Sequence, residues 1–179
     1  EAALTWTSAA TSTSLESGAA PGNLVFTLGI TTALANGDTL DITASQDIWA
    51  NTGATTCTAK IAGATTTAFS TAATSKKILR VTVTAAGITT GAFVLTCTSN
   101  QGANGAAGQV TFSIVSTTDA DPVSGLTGYT ISAAPTKLTW TSANAVTSKV
   151  TGQAPGNLVF TLGITTALAN GDTLDITAS

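Results

Sequence analysis

The sequence repeats itself, and that limits what the chain can fold into more than any other feature. LTWTSA at Leu4–Ala9 returns at Leu138–Ala143, a shift of 134 positions (138 − 4). A divergent stretch follows, ATSTSLESGA in the first copy against NAVTSKVTGQ in the second. Then APGNLVFTLGITTALANGDTLDITAS at Ala20–Ser45 returns unchanged at Ala154–Ser179. Chance does not produce an identity of this length. A period of 134 residues is too long for solenoid units of ~20–50 residues. It matches a whole domain, usually ~100–150 residues. The sequence therefore divides into one full period, 1–134, and the opening part of a second, incomplete one, 135–179. So short a segment cannot bury a core of its own. It is expected to be ordered by contacts outside itself, from further chain or from a neighbouring molecule.

The repeated unit reads as sheet. Roughly a fifth of the residues are threonine, which is β-branched and favours strands. Apolar residues alternate with Thr or Ser in short runs separated by turn signals. The runs are Leu4–Ser8, Asn23–Ile30, Asp38–Ser45, Thr55–Ala62, Lys77–Ala85, Ala92–Ser99, Gln109–Thr117 and Gly128–Ala133. Pro21-Gly22 introduces the second run, and Asn36-Gly37 before the third is a hairpin signal. Seven or eight short antiparallel strands in this length predict a β-sandwich. Inward positions are Leu24, Phe26 and Leu28; Leu40 and Ile42; Phe93, Leu95 and Cys97; and Val110, Phe112 and Ile114. In the fifth run the doublet Ile78-Leu79 leaves the register open between Ile78, Leu79 or Val81, and Val83. The Thr/Ala-rich stretch Ala64–Thr74 reads as a loop or a weak edge strand, and Asp119–Pro122 as a polar turn closed by proline.

Few residue types are available for chemistry. Histidine is absent, which removes the usual general base and triad partner. Carboxylate pairs such as Asp38 with Asp41 remain, but an Asp after a hairpin turn is expected for turn reasons alone. No catalytic site, metal site or cofactor is expected. Asp119 and Asp121 form a weak calcium candidate, because two carboxylates alone do not make a tight oxygen cage. Cys57 and Cys97 fall on separate strands. They are either two buried thiols or a disulfide, which in an extracellular protein would stabilise by ~4 kcal/mol on the loop-entropy model. Three tryptophans are candidate assembly contacts. Trp6 and its equivalent Trp140 open each period, as core residues or as anchors between domains or chains. Trp49 lies in the loop QDIWANTG, as a core plug or an exposed contact. Thr65, Thr66, Thr67, Thr71 and Thr74 are candidate O-glycosylation sites; no Asn-x-Ser/Thr acceptor is present.

Charge narrows the partners. Only 8% of residues are charged and the net charge is −3, well below the ~25–35% charged residues of an ordinary soluble surface. Hydroxyl-rich, weakly charged surfaces suit packed assemblies or glycan-coated fibres. Six Lys and Arg give no basic footprint for nucleic acid. No run reaches the ~18 apolar residues of a membrane span. No signal peptide is visible, and Glu1 reads as the start of mature sequence.

Three segments together resemble a known style of repeat: LVFTLGITTALANGDTLDITAS, RVTVTAAGITTGAFVLTCTSN and GQVTFSIVSTTDADP. They are similar to the immunoglobulin-like repeats of long microbial extracellular proteins, such as bacterial adhesin stalks and protist cell-surface or flagellar-hair proteins. The resemblance covers most of Leu4–Pro122. It implies an all-β, immunoglobulin-like antiparallel sandwich at the cell surface or outside the cell. The expected role is structural: a subunit of a filament or surface stalk, whose partners are other copies of itself or further repeats, with O-linked glycans as a further expectation. The alternative is a cell-surface adhesin or glycan-binding module.

Overall fold

A computed structural model describes residues 4–11, 15–84, 86–134, 138–145, 151–154, 156–165 and 173–177, less the side chains of Asp119, Asn144 and Ala145. The chain separates into two compact units, Glu1–Ala134 and Pro135–Ser179.

The first unit is all antiparallel β. Its strands are β1 (Leu4–Thr11), β2 (Leu24–Ile30), β3 (Thr39–Ala44), β4 (Gly53–Ala54), β5 (Cys57–Ile61), β6 (Ala64–Thr66), β7 (Phe69–Ala73), β8 (Ile78–Val83), β9 (Gly91–Cys97), β10 (Gly108–Ser116) and β11 (Asp119–Ile131). They form two sheets, in the orders β1-β2-β9-β5-β6 and β11-β10-β3-β8-β7-β4. Each sheet turns its apolar face inward, as a β-sandwich requires. Along β2 every second residue is buried, Leu24, Phe26, Leu28 and Ile30, while Val25, Thr27 and Gly29 lie between them half-buried. Leu40 and Ile42 of β3, Phe93, Leu95 and Cys97 of β9, and Val110, Phe112 and Ile114 of β10 complete the same core. Thr therefore occupies the outward positions and apolar side chains the inward ones, which fixes the register of each strand.

Two features settle what the sequence left open, and a third differs from its expectation. In β8 the core takes Leu79, Val81 and Val83, and Ile78 stays half-buried. The Thr/Ala-rich stretch is not a loop: it forms β6 and β7, and β7 pairs with β8 on one side and β4 on the other. The β5–β6 turn has positive φ at both Ala62 and Gly63, the geometry of a two-residue type I′ hairpin. Thr and Ala differ little in hydropathy, so their alternation carries almost no signal there. The third is β11, which begins at Asp119 and runs through Pro122. It is the edge strand of its sheet, the place where a proline costs no ladder hydrogen bond. Register shifts between Phe112/Ile114 and Ile114/Ser116 absorb the mismatch.

In the second unit, β12 (Leu138–Ala145) and β13 (Leu158–Ile164) form one antiparallel pair.

Candidate assembly surface

The hairpin β12–β13 reproduces β1–β2 in register. Trp6 pairs with Leu28 and Ser8 with Thr27, leaving Thr7 as a bulge; Trp140 pairs with Leu162 and Ser142 with Thr161, leaving Thr141. The bulge resets the alternation, so Leu4 and Ala9 both face inward in the first unit. Gly29 lies opposite Thr5 and Gly163 opposite Thr139, and in each case a Cβ on the glycine would collide with the threonine hydroxyl. The ring pairs match too: Trp6–Phe26 at 6.5 Å and 53°, Trp140–Phe160 at 6.2 Å and 55°. Identical local sequence has given identical local structure.

The surroundings differ. In the first unit β9 pairs along the whole of β2, from Leu24↔Cys97 to Ile30↔Gly91, and the second sheet covers the inner face. Trp6 then stacks on Phe112 at 5.3 Å, and its indole N–H donates to the Thr127 carbonyl at 3.0 Å. Residues 46–134, which supply those partners, occur once in the sequence. In the second unit the same side chains are accessible: Leu158 is 57% exposed and Phe160 42%, against 1% for Leu24 and 0% for Phe26. Trp140 and Ile164 are likewise exposed. A groove of about 310 Å³ runs between Leu138, Trp140 and Leu162 on one side and Leu174 and Ile176 on the other. Apart from Trp140, these residues were legible in the sequence only as core, through their first-copy equivalents. Their exposure is visible only in the structure.

The three tryptophans thus separate. Trp140 is exposed, and Trp6 is half-buried against the aromatic cluster. Trp49 is a core plug at 1% exposure, which removes it from the contacts available at the surface. Its loop is laced to the strand ends opposite: Trp49 N–H donates to the Lys76 carbonyl, Gly102 N–H to Ile48 and Ala50 N–H to Asn100. Gly102 packs closely there: a Cβ would lie 3.1 Å from the Trp49 backbone, which would have to shift slightly. The indole N–H has no acceptor among the described residues, so volume rather than hydrogen bonding accounts for this Trp.

Cys57 and Cys97 form a disulfide. They are directly opposed on β5 and β9. Thr98 N–H donates to the Thr56 carbonyl beside them, so Cys57↔Cys97 is a non-hydrogen-bonded pair, the closer of the two cross-strand sites. The bridge joins neighbours within one sheet. It fits an oxidising, secreted environment. Among the described residues no helix is long and apolar enough to cross a membrane.

The acidic residues serve the frame. The Asp38 carboxylate accepts from Ala35 N–H at 2.7 Å and from the Thr117 hydroxyl at 2.8 Å. Asp41 takes a bidentate pair from Arg80 across β3–β8, at 2.8 and 2.6 Å; the carboxylate raises the Arg80 pKa further. The Asp119 side chain lies outside the described residues, and Asp121 stands on β11 near its start. Among the described residues no three acidic, Cys or His side chains gather into a metal cluster. Of the candidate glycan acceptors, Thr65, Thr67 and Thr74 are exposed and Thr66 and Thr71 half-buried. The Thr71 hydroxyl already donates to the Thr55 carbonyl at 2.7 Å. Thr65 also borders a shallow groove of about 400 Å³ on the outer face of the five-stranded sheet, with Thr58, Lys60 and Thr96. Burial pushes the Tyr129 phenol, packed 6.2 Å from Phe112, up to about 12.

Fold and site together define an all-β, disulfide-bridged protein with two antiparallel sheets and an additional, uncovered hairpin. No model of a known protein family matches the chain, and no curated protein matches it.

Proposed function

We propose that the chain is a structural subunit of an extracellular filament or surface stalk built from tandem immunoglobulin-like sandwiches, joined by β contacts between domains or chains. The observation that carries this reading is the apolar face of β12–β13, a surface that the first unit buries completely and the second leaves exposed. Contiguous exposed apolar patches mark interaction sites. The sequence period, the low charge and the disulfide support the same reading.

The immunoglobulin-like part of the proposal rests on strand positions. The sheets β1-β2-β9-β5 and β11-β10-β3-β8 follow the positions A-B-E-D and G-F-C-C′ of that architecture. Two departures go with it. The chain fills the D position, with β5, before the C′ position, with β8. The disulfide lies within one sheet instead of joining the two. The adhesin or glycan-binding alternative is weaker, because Trp49, its loop aromatic, is buried. Negative-stain imaging of concentrated, purified chain tests the proposal. Elongated multimers or fibres are expected; isolated particles at every concentration would sink it.

A further inference from the structure

The uncovered hairpin has a cognate partner within the sequence. The surface that buries β2 is made by residues 46–134, chiefly β9 at its edge and β10 and β8 across the core. Residues 20–45 and 154–179 are identical, and β13 shares the bulge, register and glycine–threonine contact of β2. Whatever fits β1–β3 therefore fits the second copy of those residues. We infer that the second unit is an interchangeable completing segment: Leu138–Ser179 takes the place of Leu4–Ser45 on the 46–134 body of a second copy of this chain.

Reach favours a second copy over the same chain. Ser132 is held beside the far end of β1, where its N–H donates to the Leu15 carbonyl and its own carbonyl accepts from Ser17 N–H. To occupy the position of β1 in its own chain, Leu138 would have to return to the site of Leu4. That path follows the seven steps of β1 from Thr11 back to Leu4, ~23 Å at the rise of a strand. The six positions from Ser132 to Leu138 (138 − 132) span at most ~20–22 Å when taut. A neighbouring chain has no such limit.

The exchange replaces one set of contacts by an identical set, because residues 20–45 and 154–179 are the same. In the native chain the attached segment 4–45 competes at high effective concentration, on the order of mM for a short tether. Exchange is then a minor population that grows with protein concentration. Disabling the N-terminal segment removes the competitor. Each C-terminal segment then completes the next body, a head-to-tail contact that gives rings or open filaments.

Two experiments on the full chain test this. Phe26→Asp places a charge in the buried face of β2. The variant is expected to keep its β-sheet circular dichroism and buried Trp49 emission, and to run at twice the native mass or more. Adding Phe160→Asp should abolish both the fold and the multimers. A folded Phe26→Asp monomer, an unfolded Phe26→Asp chain, or multimers that survive Phe160→Asp would each overturn the inference.

The second variant leaves the core intact. Thr27 and Val94 are paired across β2–β9. Hydrogen bonding of β9 toward β5 at Thr98 makes that pair a close, non-hydrogen-bonded site. In Val94→Cys/Thr161→Cys, peptide mapping should find an intermolecular 94–161 bridge whose yield rises with protein concentration. Only 161–161 bridges, or none, would reject strand exchange. The inference rests on the filament reading only where exchange is credited with filament growth. Closed dimers bearing the 94–161 bridge would sink the filament and keep the exchange. Fibres without that bridge would do the reverse.

Discussion

LVFTLGI occurs twice in this protein, as β2 and as β13, and the two copies meet opposite environments. Both form the same strand, pair with the same kind of partner and carry the same bulge. In β2 the inward side chains are the centre of a sandwich core; in β13 Leu158, Phe160 and Ile164 are exposed and Leu162 is half-buried. For this segment local sequence therefore decides the strand, whereas Thr173–Thr177, identical to Thr39–Thr43 of β3, is not a strand; burial is decided by what lies across it. The same residues are core in one place and largely exposed in the other.

Paired substitutions break this comparison most sharply. At low protein concentration, Phe26→Ala should cost about 3–5 kcal/mol of unfolding free energy, the usual loss for a buried phenylalanine. Phe160→Ala should change it by less than about 0.5 kcal/mol, as at a surface site. Urea denaturation followed through Trp49 emission measures both. Equal losses would mean that the second hairpin is already covered.

Reduction of Cys57–Cys97 sharpens the same contrast. The bridge ties β9, the strand that pairs along β2, to β5, and the second unit has no counterpart. Cys57→Ser/Cys97→Ser should lower the stability of the first unit by up to about 4 kcal/mol. In a variant retaining only Trp140, the emission of that residue should stay unchanged.

A third prediction concerns alkaline pH. Tyr129 is the sole tyrosine and belongs to the first unit. Its folded pKa is raised to about 12 by burial, so the native state holds the phenol proton after the unfolded chain has released it. Stability is full below about pH 10 and falls as pH rises toward 12, by about 2–3 kcal/mol in total. Tyr129→Phe should remove that slope, and tyrosinate absorbance should rise together with unfolding.

The smallest effect is local. Gly29→Ala and Gly163→Ala each press a methyl group onto a threonine hydroxyl. The first should cost about 1 kcal/mol, within the usual range for an overpacked site. The second should leave global unfolding unmoved and only loosen its own hairpin, read by hydrogen exchange at β13.

Much of the fold was legible because Thr and aliphatic residues alternate cleanly. The inward sets of β2, β3, β9 and β10 follow from period-two patterning alone. The signal left β6 and β7 open between loop and weak edge strand, because Thr and Ala alternate there without contrast, and β6 is an edge strand. It failed at β11, where the Asp and Pro of a turn-like stretch sit on an edge strand that tolerates them. Trp49 was undecided because a loop tryptophan fits either a core or a contact, and only the packing of its loop against residues 98–105 chose between them.

The sequence by itself determined the period and the inward sets of the main strands, because strand alternation acts over a few residues; the Asn36-Gly37 signal did not make a β2–β3 hairpin, since those strands lie in different sheets. The sequence also set out the pair of cysteines, without their geometry. Only the tertiary structure decided which copy of LVFTLGI is core and which is surface. Burial is a property of partners brought from far along the chain, and for β2 residues 46–134 supply them.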